Sequence, residues 1–156
     1  MIMIFVPVSR AVVQELKATG ELAELAGFTA SAALRRAVEA SDDETADYTA
    51  FGYAGVAAIG LAGETGQRLV LAGDLDPVDV TGADGDDPFG RVTVTRLRWR
   101  DATAVFVDEV AARPAVRSAQ AVSQGRDLAE LLKLPEVEAL QADHDLLWHL
   151  PAEVAD

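Results

Sequence analysis

The chain has 156 residues, of which 50% are hydrophobic and 25% charged, an ordinary globular composition that predicts one domain over residues 1–156. Lys and Arg number 13 against 26 Asp and Glu. The formal charge of −13 argues against nucleic acid and anionic membranes as partners, because both are bound through basic side chains. There is no Cys, which excludes disulfides, thiolate metal sites and cysteine nucleophiles.

The first twenty residues predict a strand followed by a helix. Residues 1–6 are apolar throughout, which is typical of an interior strand covered on both faces. Pro7 has no N–H to donate and is expected to end that strand. Ser9 is a suitable N-cap for the helix, and Gly20 can end it in the left-handed conformation. No signal peptide precedes the strand, so we expect a cytoplasmic location.

Helices are predicted over most of the next forty residues. Residues 21–27 have the pattern of one or two helical turns, and Ser31 can cap a helix that extends to Ala40. Acidic residues at 42–44 then begin a long helix that reaches about Ala62, because carboxylates are favoured in the first turn. Residues 48–63 are uncharged but are shorter than a membrane span and rich in Ala and Gly, which favours a buried helix.

Three further strands and three helices follow. The strands are predicted at Arg68–Asp74, Arg91–Thr95 and Thr103–Val107, with a short strand at Val78–Thr81 in an acidic loop and a break near Thr95–Arg96. The helices begin at Pro114, after the cap residue Asp127, and at Pro135, with the last continuing to Pro151. These elements predict an α/β or α+β protein with one mixed sheet of four to five strands, compatible with a ferredoxin-like arrangement that carries extra helices.

Two carboxylates follow predicted strands and are candidates for chemistry. Asp108 ends the fourth strand and Asp74 the second, so they meet at one edge of the sheet if the strands are parallel. Either can act in catalysis, and together with Asp76 they can ligate a divalent metal. The alternatives are that Asp108 caps the following helix and that the acidic loop is simply solvated.

The third candidate is His144, which lies on the apolar stripe of the predicted final helix. It can act as a general acid or base or as a metal ligand, or it can be a half-buried residue bonded to a backbone carbonyl. Trp148, on the same stripe, and Trp99 are expected in the core. No phosphate-binding loop, nucleophile elbow or zinc-protease motif is present, so the sequence shows no catalytic motif and predicts no cofactor.

Arg96, Arg98 and Arg100 form a basic stripe if this segment is extended. They can clamp a phosphate or carboxylate, but pairing with the chain's own excess of Asp and Glu is the favoured interpretation.

Several short motifs together resemble a family of small acidic actinobacterial proteins of unknown function. They are Met-Ile-Phe-Val-Pro near the start, the acid-led helix 42–62, Trp99-Arg-Asp-Ala, Ala104-Val-Phe-Val-Asp-Glu109, Pro114-Ala-Val-Arg and the closing His144-Asp-Leu-Leu-Trp148. The resemblance covers nearly the whole chain. It implies a single cytoplasmic domain with no established activity, and it assigns no catalytic or binding residue.

The sequence leaves two main functions open, and a third, nucleic-acid mimicry by the acidic face, rests only on the net charge. The first is a non-catalytic cytoplasmic domain that acts through protein contacts, with a protein partner or as a homodimer. The alternative is a small-molecule-binding protein or hydrolase whose site lies near Asp74, Asp108 and His144.

Overall fold

The structure, a computed structural model, describes residues 1–156 and is built around one seven-stranded sheet in which every pairing is antiparallel. In spatial order the strands are β5 (Val80–Thr81), β6 (Arg91–Val94), β3 (Leu25–Phe28), β1 (Ile2–Val8), β4 (Leu69–Leu75), β8 (Ala102–Asp108) and β9 (Leu146–His149). Two further strands, β2 (Glu21–Leu22) and β7 (Leu97–Arg98), form a separate two-stranded sheet.

Strand β1 is the central strand of the large sheet, as its uninterrupted apolar run predicts. It pairs with β4 from Ile2 opposite Leu75 to Val8 opposite Leu69. The prediction that Pro7 ends the strand is wrong, because β1 continues to Val8. On the other side of β1, the pairing with β3 stops at Phe5. No strand therefore lies opposite Pro7 on that side to accept a hydrogen bond from a backbone N–H.

Seven α-helices cover both faces of the sheet: α1 (Arg10–Thr19), α2 (Ala32–Val38), α3 (Asp43–Ala57), α4 (Arg113–Ser123), α5 (Leu128–Leu131), α6 (Pro135–Asp143) and α7 (Pro151–Ala155). Buried residues of α2 to α6 pack with Phe5 and Val70 on one face. Helices α1 and α7 pack with Ile4 and Val6 on the other. The alternation of β1 residues between the two cores explains why no position in this strand is polar.

Helix α3 lies against the centre of the sheet and begins as predicted. The side chain of Asp42 accepts a hydrogen bond from the backbone N–H of Thr45, which is an N-cap. Ala46, Ala50 and Ala54 are fully buried, because small side chains allow the helix to approach the strands closely. The α-helix ends at Ala57, short of the predicted Ala62. A 3-10 turn at Ala58–Leu61 continues it almost to that residue, and a second 3-10 turn follows at Gly63–Thr65.

The sheet has seven strands, so the prediction of four to five is wrong. Residues 21–27, predicted to be helical, form β2 and most of β3. Pairing of β2 with β7, and of β3 with β1 and β6, overrides a weak local helical pattern. Every pairing is antiparallel, so the sheet is not the mixed one predicted. Strands β3 and β4 flank β1 and run parallel to each other, with α2 and α3 in the connection between them, as in the split β-α-β unit of the ferredoxin-like arrangement. The break predicted near Thr95–Arg96 is present: β6 ends at Val94, and β7 pairs in the small sheet.

Candidate functional site

The predicted final helix ends earlier than expected, and this places His144 at the start of a turn. Helix α6 stops at Asp143, and His144 is its C-cap in an extended conformation. The next residues form β9, with Trp148 opposite Phe106 and Leu146 opposite Asp108. The apolar periodicity wrongly predicted a helix here, because consecutive apolar residues such as 146–148 fit a strand as well as a helix. The free edge of β8 pairs with them as a strand.

At the end of β8, Asp108 forms a buried ion pair with Arg68, the residue that precedes β4. The Arg68 side chain is 3% exposed and that of Asp108 is 0% exposed. Arg68 Nε donates to Oδ2 and Nη2 to Oδ1, each at 2.8 Å, and the backbone N–H of Arg68 also donates to Oδ2 at 2.9 Å. Both carboxylate oxygens are therefore bonded, which leaves Asp108 poorly suited to act as a base or metal ligand.

His144 lies beside this ion pair without touching Asp108. Its carbonyl oxygen accepts a 3.3 Å hydrogen bond from Arg68 Nη2, and its Nδ1 lies 3.1 Å from Oε1 of Glu109. The structure thus brings Asp108 and His144 together through Arg68, a residue that the sequence analysis did not single out. The sequence feature that could have identified Arg68 is its position as a charged residue directly before an apolar strand.

Asp74 and Asp76 lie away from this site. Because β4 and β8 are antiparallel, with Leu69 opposite Val107, their C-terminal ends point in opposite directions along the strands. Asp74 is exposed, and the side chain of Asp76 caps the 3-10 turn that follows β4. A shared site of Asp74, Asp76 and Asp108 therefore does not form, and no group of three His, Asp or Glu side chains is arranged to hold a metal ion.

A small cavity opens beside the Arg68–Asp108 pair. It has a volume of about 80 Å³ and lies between α3, the start of β4 and the connection from α6 to β9. Its lining residues are Tyr48, Phe51, Gly52, Gly55, Arg68, Gln141, His144, Asp145 and Leu146. A space of this size, which is open to solvent, admits only a few water-sized groups. Drug-sized ligand sites are typically several times larger, at about 300–1,000 Å³.

Two arginines of the basic stripe form ion pairs with the protein's own acidic residues. Arg96 pairs with Glu21 at 2.6 Å, and Arg98 pairs with Asp79 at 3.1 Å. The Arg96 guanidinium lowers the pKa of Glu21 by hydrogen bonding and by its charge. The favoured interpretation of the stripe is confirmed for these two arginines.

The edge strand β9 exposes large apolar side chains. Trp148 is 57% exposed, Leu147 45% and the following Leu150 48%. The prediction that Trp148 lies in the core is wrong, because β9 is an edge strand and more than half of this residue is exposed. Trp99, by contrast, is partly buried against the α1 face of the sheet, as expected.

These features define the protein as an α+β sandwich: a seven-stranded antiparallel sheet between two helical layers, with a buried Arg–Asp pair beneath a small surface cavity. None of the seven α-helices has the length and apolar character that a membrane-spanning helix needs. The chain belongs to the family of unknown function DUF6912, whose model matches residues 2–156. Comparison with curated proteins and with solved structures finds no match.

Proposed function

We propose that the protein is a non-catalytic single domain that acts through protein contacts made at β9, and that a second copy of the chain is the first partner to test. The observation that supports this proposal is the exposed Trp148 on an edge strand. The cytoplasmic location and actinobacterial source expected from the sequence belong to the same proposal.

The two edges of the sheet differ in how well they are protected against pairing. Edge strand β5 has only two residues, and it follows Pro77 and Asp79. Short strands, proline and charge are the usual means of blocking an edge. Edge strand β9 contains no proline and no acidic or basic residue other than His149. An antiparallel edge strand can pair with its own copy about a two-fold axis, because such an interface is self-complementary.

Association can be measured by sedimentation velocity at rising protein concentration. We expect wild type to dimerise in the micromolar range, since a four-residue edge gives a small interface. Each copy carries a charge of −13, so the dimer should tighten as salt rises from about 0.01 to 0.15 M and the Debye length falls from about 30 to 8 Å.

Trp148→Lys places a charge on the edge and should leave a monomer. Val78→Lys is the matched control, because Val78 is also apolar and is 80% exposed but lies near the opposite edge. This control should dimerise as wild type does. A wild-type protein that stays monomeric at high micromolar concentration in both salts contradicts the proposal, and so does equal dimerisation of Trp148→Lys.

A further inference from the structure

The cavity beside Arg68 has a polar donor at its base that the protein does not use. Arg68 Nε and Nη2 bond to Asp108 and to the carbonyl of His144, but Nη1 makes no hydrogen bond within the protein. The only fully buried side-chain nitrogen or oxygen without a partner is Nε of Arg113. Nη1 of Arg68 is therefore accessible, and it is reached through the cavity that Arg68 lines.

Two glycines of α3 keep this cavity open. A Cβ at Gly55 would lie 3.5 Å from Cδ1 of Leu146 and 3.8 Å from Nη1 of Arg68, and a Cβ at Gly52 would lie 3.7 Å from Nε2 of Gln141. These are ordinary contact distances, so alanine fits at both positions. Glycine inside a helix costs up to about 1 kcal/mol relative to alanine. Close packing does not require either glycine, and both leave the approach to Nη1 free.

The charges around the cavity select the kind of group that Nη1 can bind. Asp108 already balances the Arg68 charge with two hydrogen bonds, while Asp145 lies on the rim and Glu109 is bonded to His144. A further carboxylate or phosphate would add an unbalanced negative charge to a desolvated site. A neutral oxygen acceptor satisfies the free N–H groups without this cost.

The other lining groups narrow the chemistry further. Gln141 presents a carboxamide, which both donates and accepts hydrogen bonds and so complements another carboxamide. Tyr48 and Phe51 provide aromatic surface at the same cavity, and aromatic rings pack against flat groups. From this geometry we propose that the cavity binds a small molecule carrying a neutral carboxamide, with the amide oxygen on Nη1 of Arg68 and the flat remainder against Tyr48.

Benzamide and benzoate are the probes for this proposal, since they differ mainly in the charge of the head group. Titration of the ¹⁵N-labelled protein at pH 7 follows the side-chain N–H signals of Arg68 and Gln141. We expect saturable shifts with benzamide and at least about tenfold weaker binding of benzoate, which corresponds to about 1.4 kcal/mol. An absence of saturable shifts up to the solubility of benzamide, or equally tight binding of benzoate, overturns the proposal.

Gly55→Ala is the blocking variant, because its methyl group fills the space in front of Nη1, and it should weaken benzamide binding at least about tenfold. Gly60→Ala is the matched control, since nothing lies within 4 Å of the added Cβ and Gly60 does not line this cavity, so its binding should equal that of wild type. Gln141→Leu, at an exposed position, is a second blocking variant. Unchanged binding in both blocking variants also overturns the proposal, whatever the oligomeric state of the protein.

Discussion

Replacing Asp108 by alanine distinguishes a structural ion pair from a catalytic carboxylate. Asp108 accepts three hydrogen bonds from Arg68, and the substitution leaves the Arg68 guanidinium buried without its counter-charge. Breaking one partner of a buried pair costs about 3–5 kcal/mol, against a typical total stability of about 5–15 kcal/mol. At about 2–4 °C per kcal/mol for a chain of this size, the melting temperature should fall by about 6–20 °C.

Urea unfolding followed by circular dichroism measures this loss as a lower midpoint at unchanged slope. The double variant Arg68→Met with Asp108→Leu is the control, because it removes both charges and keeps apolar volume. With Arg68→Met and Asp108→Leu measured as the matching single variants, the double variant should lose less free energy of unfolding than the sum of their losses, with a coupling of at least about 1.5 kcal/mol. Two single variants that each cost less than about 1 kcal/mol and simply add would refute the reasoning and leave Asp108 available for chemistry.

Two further predictions concern the backbone and the helix cap. Gly90→Ala should cost at least about 2 kcal/mol in urea unfolding, because φ is +69° and the new Cβ would lie 2.1 Å from the carbonyl oxygen of Thr29. Gly125→Ala, with φ of +75° and no atom within 4 Å of the Cβ, should cost only about 1–2 kcal/mol, and an equal loss in both would contradict the steric reason. The hydrogen bond from the Thr45 N–H lowers the pKa of Asp42 below 3.8, so the cap charge stabilises the fold above about pH 3.8 and this contribution is lost as the pH falls through the folded-state pKa. The stability advantage of wild type over Asp42→Asn should therefore shrink in unfolding curves taken below about pH 3.8, and a constant difference would be inconsistent with it.

Local signals predicted much of the fold correctly. The apolar run of β1, the Ser9 and Ser31 caps and the glycine stop at Gly20 all act within a few residues of the chain, and each is present in the structure. The acidic run 42–44 also begins α3, although the cap is Asp42 rather than the preceding serine. Such features depend on short-range sterics and hydrogen bonds, which the sequence displays directly.

The elements that sequence reasoning missed depend on distant partners. Strand β3 exists because β1 and β6 pair on either side of it, and β9 exists because β8 has a free edge. The role of Arg68 was missed for the same reason: Arg68 and Asp108 are 40 residues apart, and only the antiparallel register of β4 and β8 brings them together. Asp74 was expected near Asp108 only if their strands were parallel, and strand direction is not encoded by periodicity.

Hydrogen exchange at residues 146–149 tests most directly whether β9 is the contact surface. Exchange followed by mass spectrometry at low and high micromolar protein compares the same amides in free and associated molecules. The account predicts slower exchange in β9 at high concentration, no change in β5, and loss of the effect in Trp148→Lys. Association that protects other elements and leaves β9 exchanging at the same rate would contradict it.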